Sequence, residues 1–313
     1  MSGRELIALG TSSQVPTRER SQNAYVLRWD GIGILFDPGE GAQRQLTLAG
    51  VSAASIHAIC ITHFHGDHCL GLAGVFQRLA LEGGARPVHL FFPEDGREYL
   101  ERLRNAAIYH PKAEWILHPV PWSAGRMLEL SRTDAYVLKC HALDHAVSTI
   151  GYRIEEPEGR RLVPEKLETA GVHGRRVGEL QRAGRIRSAG RMVRIEDVSV
   201  PRARNVFAFV MDTRPCPGSV ALAMDADLLV MEATYAAEHK NLADLYFHST
   251  AADAAGTARD AGARRLAITH FSQRYRDAQQ HLRDARAIFP DVVALNDLDR
   301  LPIARRRDPD GTF

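Results

Sequence analysis

Thr62-His63-Phe64-His65-Gly66-Asp67-His68 is the stretch from which the rest of this chain is read. Four metal-ligating side chains, His63, His65, Asp67 and His68, stand within six positions. A strand predicted over His57–Ile61 leads into the stretch, and Cys69–Ala80 after it carries a helical pattern. The quartet therefore sits at a strand-to-helix corner, where backbone can converge. In an extended turn the alternating His63 and His65 point the same way, while Asp67 and His68 point elsewhere. Such a corner can supply ligands to two adjacent ions. Imidazole suits zinc and similar ions, and carboxylate suits harder ones. A two-ion site can turn bound water into hydroxide near neutral pH and brace both oxygens of an in-line displacement. The spacing is not that of the helical HExxH of zinc proteases. A histidine-rich surface turn is the plainer alternative, but three histidines and an aspartate so close together speak for a two-metal hydrolase.

Outward from this corner, short apolar runs alternate with helical patterns. Glu5–Leu9, Ala24–Trp29 and Ile32–Phe36 read as strands, the last two as a hairpin turning at Asp30-Gly31. Glu40–Ala49 reads as a helix ended by Gly50. Val88–Phe92, Trp115–Val120 and Ala135–Cys140 read as strands, with a helix over Gly96–Ala107. The second half continues with strands Thr149–Ile154, Val206–Met211, Leu228–Met231 and Arg265–Ile268, and helices Ala251–Ala261 and Ala278–Ile288. Hairpins beside helix-linked strands predict a layered α/β protein with mixed sheets. Further ligands are sought at the ends of apolar runs, where α/β proteins place their sites. His145, Asp212 and His270 stand at such ends. His141 competes with His145, and spacing alone does not choose between them. Cys69 follows His68 directly and is read as a small buried residue in preference to a ligand.

The 313 residues and a net charge of +2 suit one large domain and neither demand nor exclude a nucleic-acid partner. The first ten residues lack the apolar stretch of a signal peptide, and no run approaches 18 apolar residues, so no membrane span is expected. Cys60, Cys69, Cys140 and Cys216 form no CxxC pair and read as reduced thiols, which places the chain in the cytoplasm. One region stands apart. From about Glu155 to Arg204 the apolar periodicity fades, and Pro157–Arg204 holds twelve Lys/Arg against six Asp/Glu. It reads as a basic, glycine-rich insertion projecting from the core, with a short helix near Arg176–Ala183. A solvated loop with incidental charge is the plainer reading of such a run.

Taken together these residues resemble the metallo-β-lactamase superfamily, whose hallmark is HxHxDH, and within it the ribonuclease Z family of tRNA 3′-processing endonucleases. The resemblance runs nearly end to end. It is carried by Phe36-Asp37-Pro38-Gly39-Glu40-Gly41-Ala42-Gln43, by Thr62–Leu72, by His145–Arg153 and by Met211-Asp212-Thr213-Arg214-Pro215-Cys216. Glu232-Ala233-Thr234 with His248-Ser249-Thr250 narrows it to ribonuclease Z, and Thr269–Tyr275 completes it. The resemblance implies a four-layered αβ/βα sandwich with two mixed sheets. It implies two divalent ions, zinc first, with manganese or iron also fitting. His63, His65 and His145 would hold one, Asp67, His68 and His270 the other, with Asp212 bridging. His145 is thereby chosen over His141. His248 would work with Asp67 and Glu232 in proton transfer. The substrate implied is precursor tRNA, cut to leave a 3′-hydroxyl on the tRNA and a 5′-phosphate on the trailer.

The same family carries a protruding arm where the basic insertion lies, so Arg175, Arg176, Arg182 and Arg185 become candidates for backbone phosphate contacts that fix register without reading bases. Here Gly171-Val172-His173-Gly174-Arg175-Arg176 lacks the proline of the family's usual arm tip, and Pro38 stands where a cysteine is more usual. A homodimer is implied, the arm of one subunit serving the site of the other. Other functions compatible with the same residues are a different phosphodiesterase of the superfamily, a 3′-exoribonuclease, or an RNA-binding protein with a degenerate site.

Overall fold

The computed structural model describes residues 3–82, 86–110, 114–122 and 125–306. These divide into two compact units. Among them, one comprises those up to Glu155 together with Val206–Ala304; the other comprises Glu156–Asn205 with Arg305 and Arg306. Among the described residues no helix is long and apolar enough to cross a membrane.

The larger unit contains two seven-stranded sheets. The first has the spatial order Arg300–Pro302, Glu5–Gly10, Ala24–Trp29, Ile32–Phe36, Ile56–Cys60, Val88–Pro93, Trp115–Val120. Its pairings are antiparallel up to Ile32–Phe36 and parallel beyond. The second runs Val292–Ala294, Leu266–Thr269, Leu228–Glu232, Val206–Val210, Ile150–Glu155, Val137–Ala142, Leu128–Arg132, parallel in its first half and antiparallel in its second. Side-chain alternation explains the layering. Leu6 and Ala8 join Phe207, Phe209 and Met211 in a core between the sheets. Their neighbours Ile7 and Leu9 face outward, where Leu46, Leu72, Val75 and Phe76 of the helices Ala42–Leu48 and Leu72–Glu82 cover them. Ala208 and Val210 face the other way, onto Leu222 and the alanine-rich helix Ala251–Asp260. Strands buried on both faces read as continuous apolar runs. This is the four-layered sandwich with mixed sheets expected from the sequence.

Local differences have local causes. The first helix begins at Ala42, because Gly41 takes a left-handed conformation at φ 82° before it. The expected helix Cys69–Ala80 is two helices, Gly66–Cys69 and Leu72–Glu82. They break where Gly71 N–H donates to Pro38 O at 2.9 Å, so close that a Cβ on Gly71 would sit 2.0 Å from Gly39 O. A Cβ on Gly39 would in turn sit 2.2 Å from Asp67 O, so the Asp37–Gly41 loop packs backbone to backbone against the His63–His68 turn. The strand expected at Ala135 starts at Val137, because Thr133 Oγ1 accepts from Ala135 N–H at 3.2 Å and Tyr136 N–H at 3.0 Å and turns the chain first.

The smaller unit is more than a loop with one helix. Arg160–Leu162 pairs antiparallel with Ser199–Pro201, and Arg185–Ser188 with Arg191–Arg194. Helices Pro164–Thr169 and Arg175–Ala183 complete it. Ala170, Val172, Leu180, Val193 and Val198 form its own small core. So few buried side chains explain why the apolar periodicity is faint there.

Candidate metal centre

Three strands of the larger unit end in the same way. Asp37 follows Phe36, Asp212 follows Met211 and His270 follows Thr269, each left-handed at φ 42°, 37° and 62°. Non-glycine residues rarely adopt this conformation, and it is held where surrounding contacts over-determine it. Here it turns the side chains into one place. The corner after Ile56–Cys60 meets them there. Thr62 O accepts from Ile150 N–H at 3.0 Å, and Tyr152 donates its buried hydroxyl to Ile61 O at 2.7 Å, tying the corner to the second sheet.

Four of the histidines are oriented by the nitrogen facing away from the centre. His68 Nδ1–H donates to Asp37 Oδ2 at 2.8 Å. Thr62 gives its hydroxyl proton to Asp37 at 2.6 Å, so its oxygen accepts from His63 Nδ1–H at 3.0 Å. Thr234 gives its proton to Glu232 at 2.6 Å and accepts from His270 Nδ1–H at 2.9 Å. His145 Nδ1–H donates to Phe247 O at 2.9 Å. Four Nε2 lone pairs are thereby left facing inward, the arrangement by which outer hydrogen bonds prepare metal-ligating imidazoles. His65 instead turns Nδ1 inward, 3.0 Å from His63 Nε2 and 3.3 Å from His145 Nε2.

Two separate clusters result. His63, His65, His145 and Asp212 bring their donor atoms within 4.8 Å of one another, and so do Asp67, His68 and His270; a third grouping overlaps them, joining Asp212 and His270 to His248. Asp212 faces both. Its Oδ2 lies 3.6 Å from His63 Nε2 and 3.7 Å from His145 Nε2, while its Oδ1 lies 3.3 Å from His68 Nε2 and 3.2 Å from His270 Nε2. Despite these neighbours, the buried Oδ1 makes no hydrogen bond. Lone pairs converging at such distances repel one another unless a cation lies among them, so the donor set fits a pair of divalent ions.

Without an ion the rings divide: against the cost of burial, Asp212, Asp67 and Asp37 hold His68 well above the ordinary imidazole range, so the proton it then carries leaves when an ion takes its Nε2. Burial, and then neighbouring imidazoles, hold the His63 ring well below the ordinary imidazole range. Burial likewise lowers His65 and His145, against the pull of Asp212, so all three rings are neutral and able to ligate. Burial works against ionised Asp212, yet His270 and His68 hold it well below the usual carboxylate range. Asp67 is lowered in the same sense by His68 and His270, and accepts from Gln14 N–H at 2.6 Å.

His248 stands beside both clusters, its ring 5.1 Å from that of His145 and 5.7 Å from that of His270. Its Nδ1 lies 2.9 Å from Glu232 Oε1. Glu232 is fully buried and accepts from Thr213 N–H at 2.6 Å and from the Thr234 hydroxyl. Burial opposes charge on His248, but the Glu232 carboxylate outweighs it and pushes the ring up to about 9. A pocket of about 1040 Å³ opens over His65, Asp67, His145, Asp212 and His248, with Tyr235, Tyr246 and Arg274 on its walls.

The remaining candidates fall elsewhere. His141 bonds to the neighbouring carbonyl of Ala142 at 2.9 Å and joins neither cluster. Cys69 is buried and donates to His65 O at 3.2 Å, its thiol pushed up by burial to about 12. Arg175, Arg176, Arg182 and Arg185 are exposed on the smaller unit. Arg176 turns partly inward, donating to Arg187 O, and Arg182 donates to Gly178 O at 3.2 Å. Sequence reasoning did not single out Asp37, Thr62, Thr234 or the Phe247 carbonyl as orienting groups. Asp37 had a signal, since it ends an apolar strand as Asp212 does; a backbone carbonyl leaves none.

The family model of the metallo-beta-lactamase superfamily matches residues 17–162. Ribonuclease Z of Nocardia farcinica is 48% identical over 309 residues, covering 98% of this chain and all of that protein. Ribonuclease Z of Streptomyces coelicolor is 49% identical with the same coverage. Among solved structures, the short form of human tRNase Z superposes with a TM-score of 0.70 at 24% identity, over 96% of this chain and all of that one. A metallo-β-lactamase fold protein of Bacillus subtilis reaches 0.68 at 14% identity, over 96% of this chain and all of that one. These last two speak for the fold, and the full-length relatives for the family: the chain belongs to the ribonuclease Z family of the metallo-β-lactamase superfamily.

Proposed function

We propose that this chain is a metal-dependent endoribonuclease that removes the 3′ trailer from precursor tRNA and leaves a 3′-hydroxyl on the tRNA. The observation that carries the reading is Asp212, which turns one carboxylate oxygen to each of two histidine clusters, with the His248–Glu232 pair beside them. We assign His63, His65 and His145 to one ion, Asp67, His68 and His270 to the other, and Asp212 to both. Zinc suits five imidazoles best, and manganese or iron also fits. When bound, the two ions supply an activated water and offset the charge that builds on the phosphate.

The protein's own groups do the rest. Glu232 fixes His248 by Nδ1, so Nε2 is the nitrogen free to protonate the departing 3′-oxygen. Asp67, ionised and on the same pocket wall, is the carboxylate that takes part in moving that proton. The exposed Arg175, Arg176, Arg182 and Arg185 suit contacts to the tRNA backbone, which position without reading sequence. Four free cysteines suit a reducing cytoplasm. The homodimer rests on the family resemblance.

Incubation with a 3′-extended precursor tRNA tests the reading. One cut beside the discriminator base is expected. A ladder of products would point to an exonuclease. Hydrolysis of bis(p-nitrophenyl) phosphate with no cleavage of precursor would point to another phosphodiesterase.

A further inference from the structure

Arg214 has no place in the chemistry above, yet it closes a ring of contacts around it. Its guanidinium is bidentate to Asp144, with Nε 3.1 Å from Oδ2 and Nη2 3.1 and 2.9 Å from the two oxygens. The same guanidinium lies over the Phe247 ring, 4.2 Å from its centroid. Phe247 is left-handed at φ 60°, a conformation that a bulky aromatic residue adopts at a cost. That conformation aims the Phe247 carbonyl at His145 Nδ1, at 2.9 Å, and His145 is the residue after Asp144. The next residue after Phe247 is His248, whose Nδ1 meets Glu232.

We propose that Arg214 is a positioning residue: stacked on Phe247 and pinned by Asp144, it holds the strained Phe247 backbone that orients His145 and seats His248. The inference rests on the reading of His145 as a metal ligand. The Arg214–Asp144 pair is itself half-exposed, with side-chain exposures of 36% and 45%. Such a pair contributes little to global stability, so its effect is local. Backbone bonds already join these loops without it: Arg214 N–H donates to Asp144 O at 2.9 Å, and Ser249 Oγ donates to Thr213 O at 2.6 Å. What the side chain adds is the hold on one ring. Lysine keeps the charge but loses the planar stack and the fork.

The test is titration of the metal-free full-length protein with Co²⁺, followed by visible absorption and by competition with Zn²⁺. Arg214→Ala and Arg214→Lys should weaken one of the two ions by about 10- to 100-fold, the loss found when an outer partner of a ligand is removed. The absorption of that site should change, while the second ion and Tm stay as in the unaltered protein. Phe247→Leu, which removes the ring under the guanidinium, should weaken the same ion as Arg214→Ala does. Unchanged affinities and spectra in Arg214→Ala would overturn the proposal. So would equal weakening of both ions with a fall in Tm, because Arg214 would then be a general stabiliser. Failure of the unaltered protein to take up two ions would defeat the reading of the site itself, and the proposal with it.

Discussion

Replacing Glu232 by glutamine while also removing His248 separates a proton-transfer pair from two independent contributions. Glu232 Oε1 accepts from Thr213 N–H at 2.6 Å and lies 2.9 Å from His248 Nδ1, while Oε2 accepts from the Thr234 hydroxyl at 2.6 Å. In Glu232→Gln the amide oxygen can keep the Oε1 contacts, and the Thr234 hydroxyl can rotate to accept from the new NH₂. What is lost is the negative charge and the long 3.3 Å contact that Oε2 accepts from Thr234 N–H. A charge-assisted hydrogen bond exceeds a neutral one by roughly 1–2 kcal/mol, so cleavage should slow by about 10-fold. His248→Ala removes the proton donor and should slow it by about 10²- to 10⁴-fold. If Glu232 acts only through His248, the double variant should be no slower than His248→Ala alone. Single-turnover cleavage of precursor tRNA at saturating Mn²⁺ measures all three rates, and metal content should match the unaltered protein throughout. Multiplying rate losses would refute the pairing, as would a drop in bound metal in His248→Ala.

Asp212→Ala should abolish cleavage and metal loading together, because each of its oxygens faces a different cluster; elemental analysis retaining two ions would contradict the bridging role. Neutralising Arg175, Arg176, Arg182 and Arg185 should raise KM for precursor tRNA more than it lowers kcat, with each lost phosphate contact flattening the salt dependence by somewhat less than one power of salt concentration. His281 is fully buried, and burial lowers it to about 4 against partial offset by Asp284 and the Thr234 carbonyl. The unfolded chain therefore binds the extra proton first. Stability is fully present above the ordinary value near 6.5 and is lost as pH falls toward 4, by about 3 kcal/mol. Urea unfolding at pH 7.5 and pH 4.5 should show that loss in the unaltered protein and a smaller one in His281→Leu.

The ligand turn was legible because its residues are adjacent in sequence, and the strands because Ile7/Leu9 and Leu6/Ala8 alternate between two apolar environments. His145, Asp212 and His270 were visible as polar residues ending apolar runs. Choosing His145 over His141 needed more, since both stand near the end of the same apolar run; in the structure His141 is still within the strand Val137–Ala142, its ring turned onto a neighbouring carbonyl, and His145 beyond the strand reaches the cluster. Helix ends and the break at Gly71 were hidden because they depend on backbone packed from elsewhere in the chain. The smaller unit was hidden for the opposite reason: its core of five buried residues is too small to impose a period. Phe247 could not be found at all, since its part is played by a backbone carbonyl and a torsion angle.

The most direct measurement strips the protein with chelator and returns Zn²⁺ or Mn²⁺ stepwise while cleavage of a 3′-extended precursor tRNA is followed and the product ends are mapped. Activity should be absent without metal and reach its plateau at two ions per chain, giving one cut that leaves a 3′-hydroxyl on the tRNA and a 5′-phosphate on the trailer. Cleavage by the stripped protein, or no cleavage with both sites filled, would contradict the account.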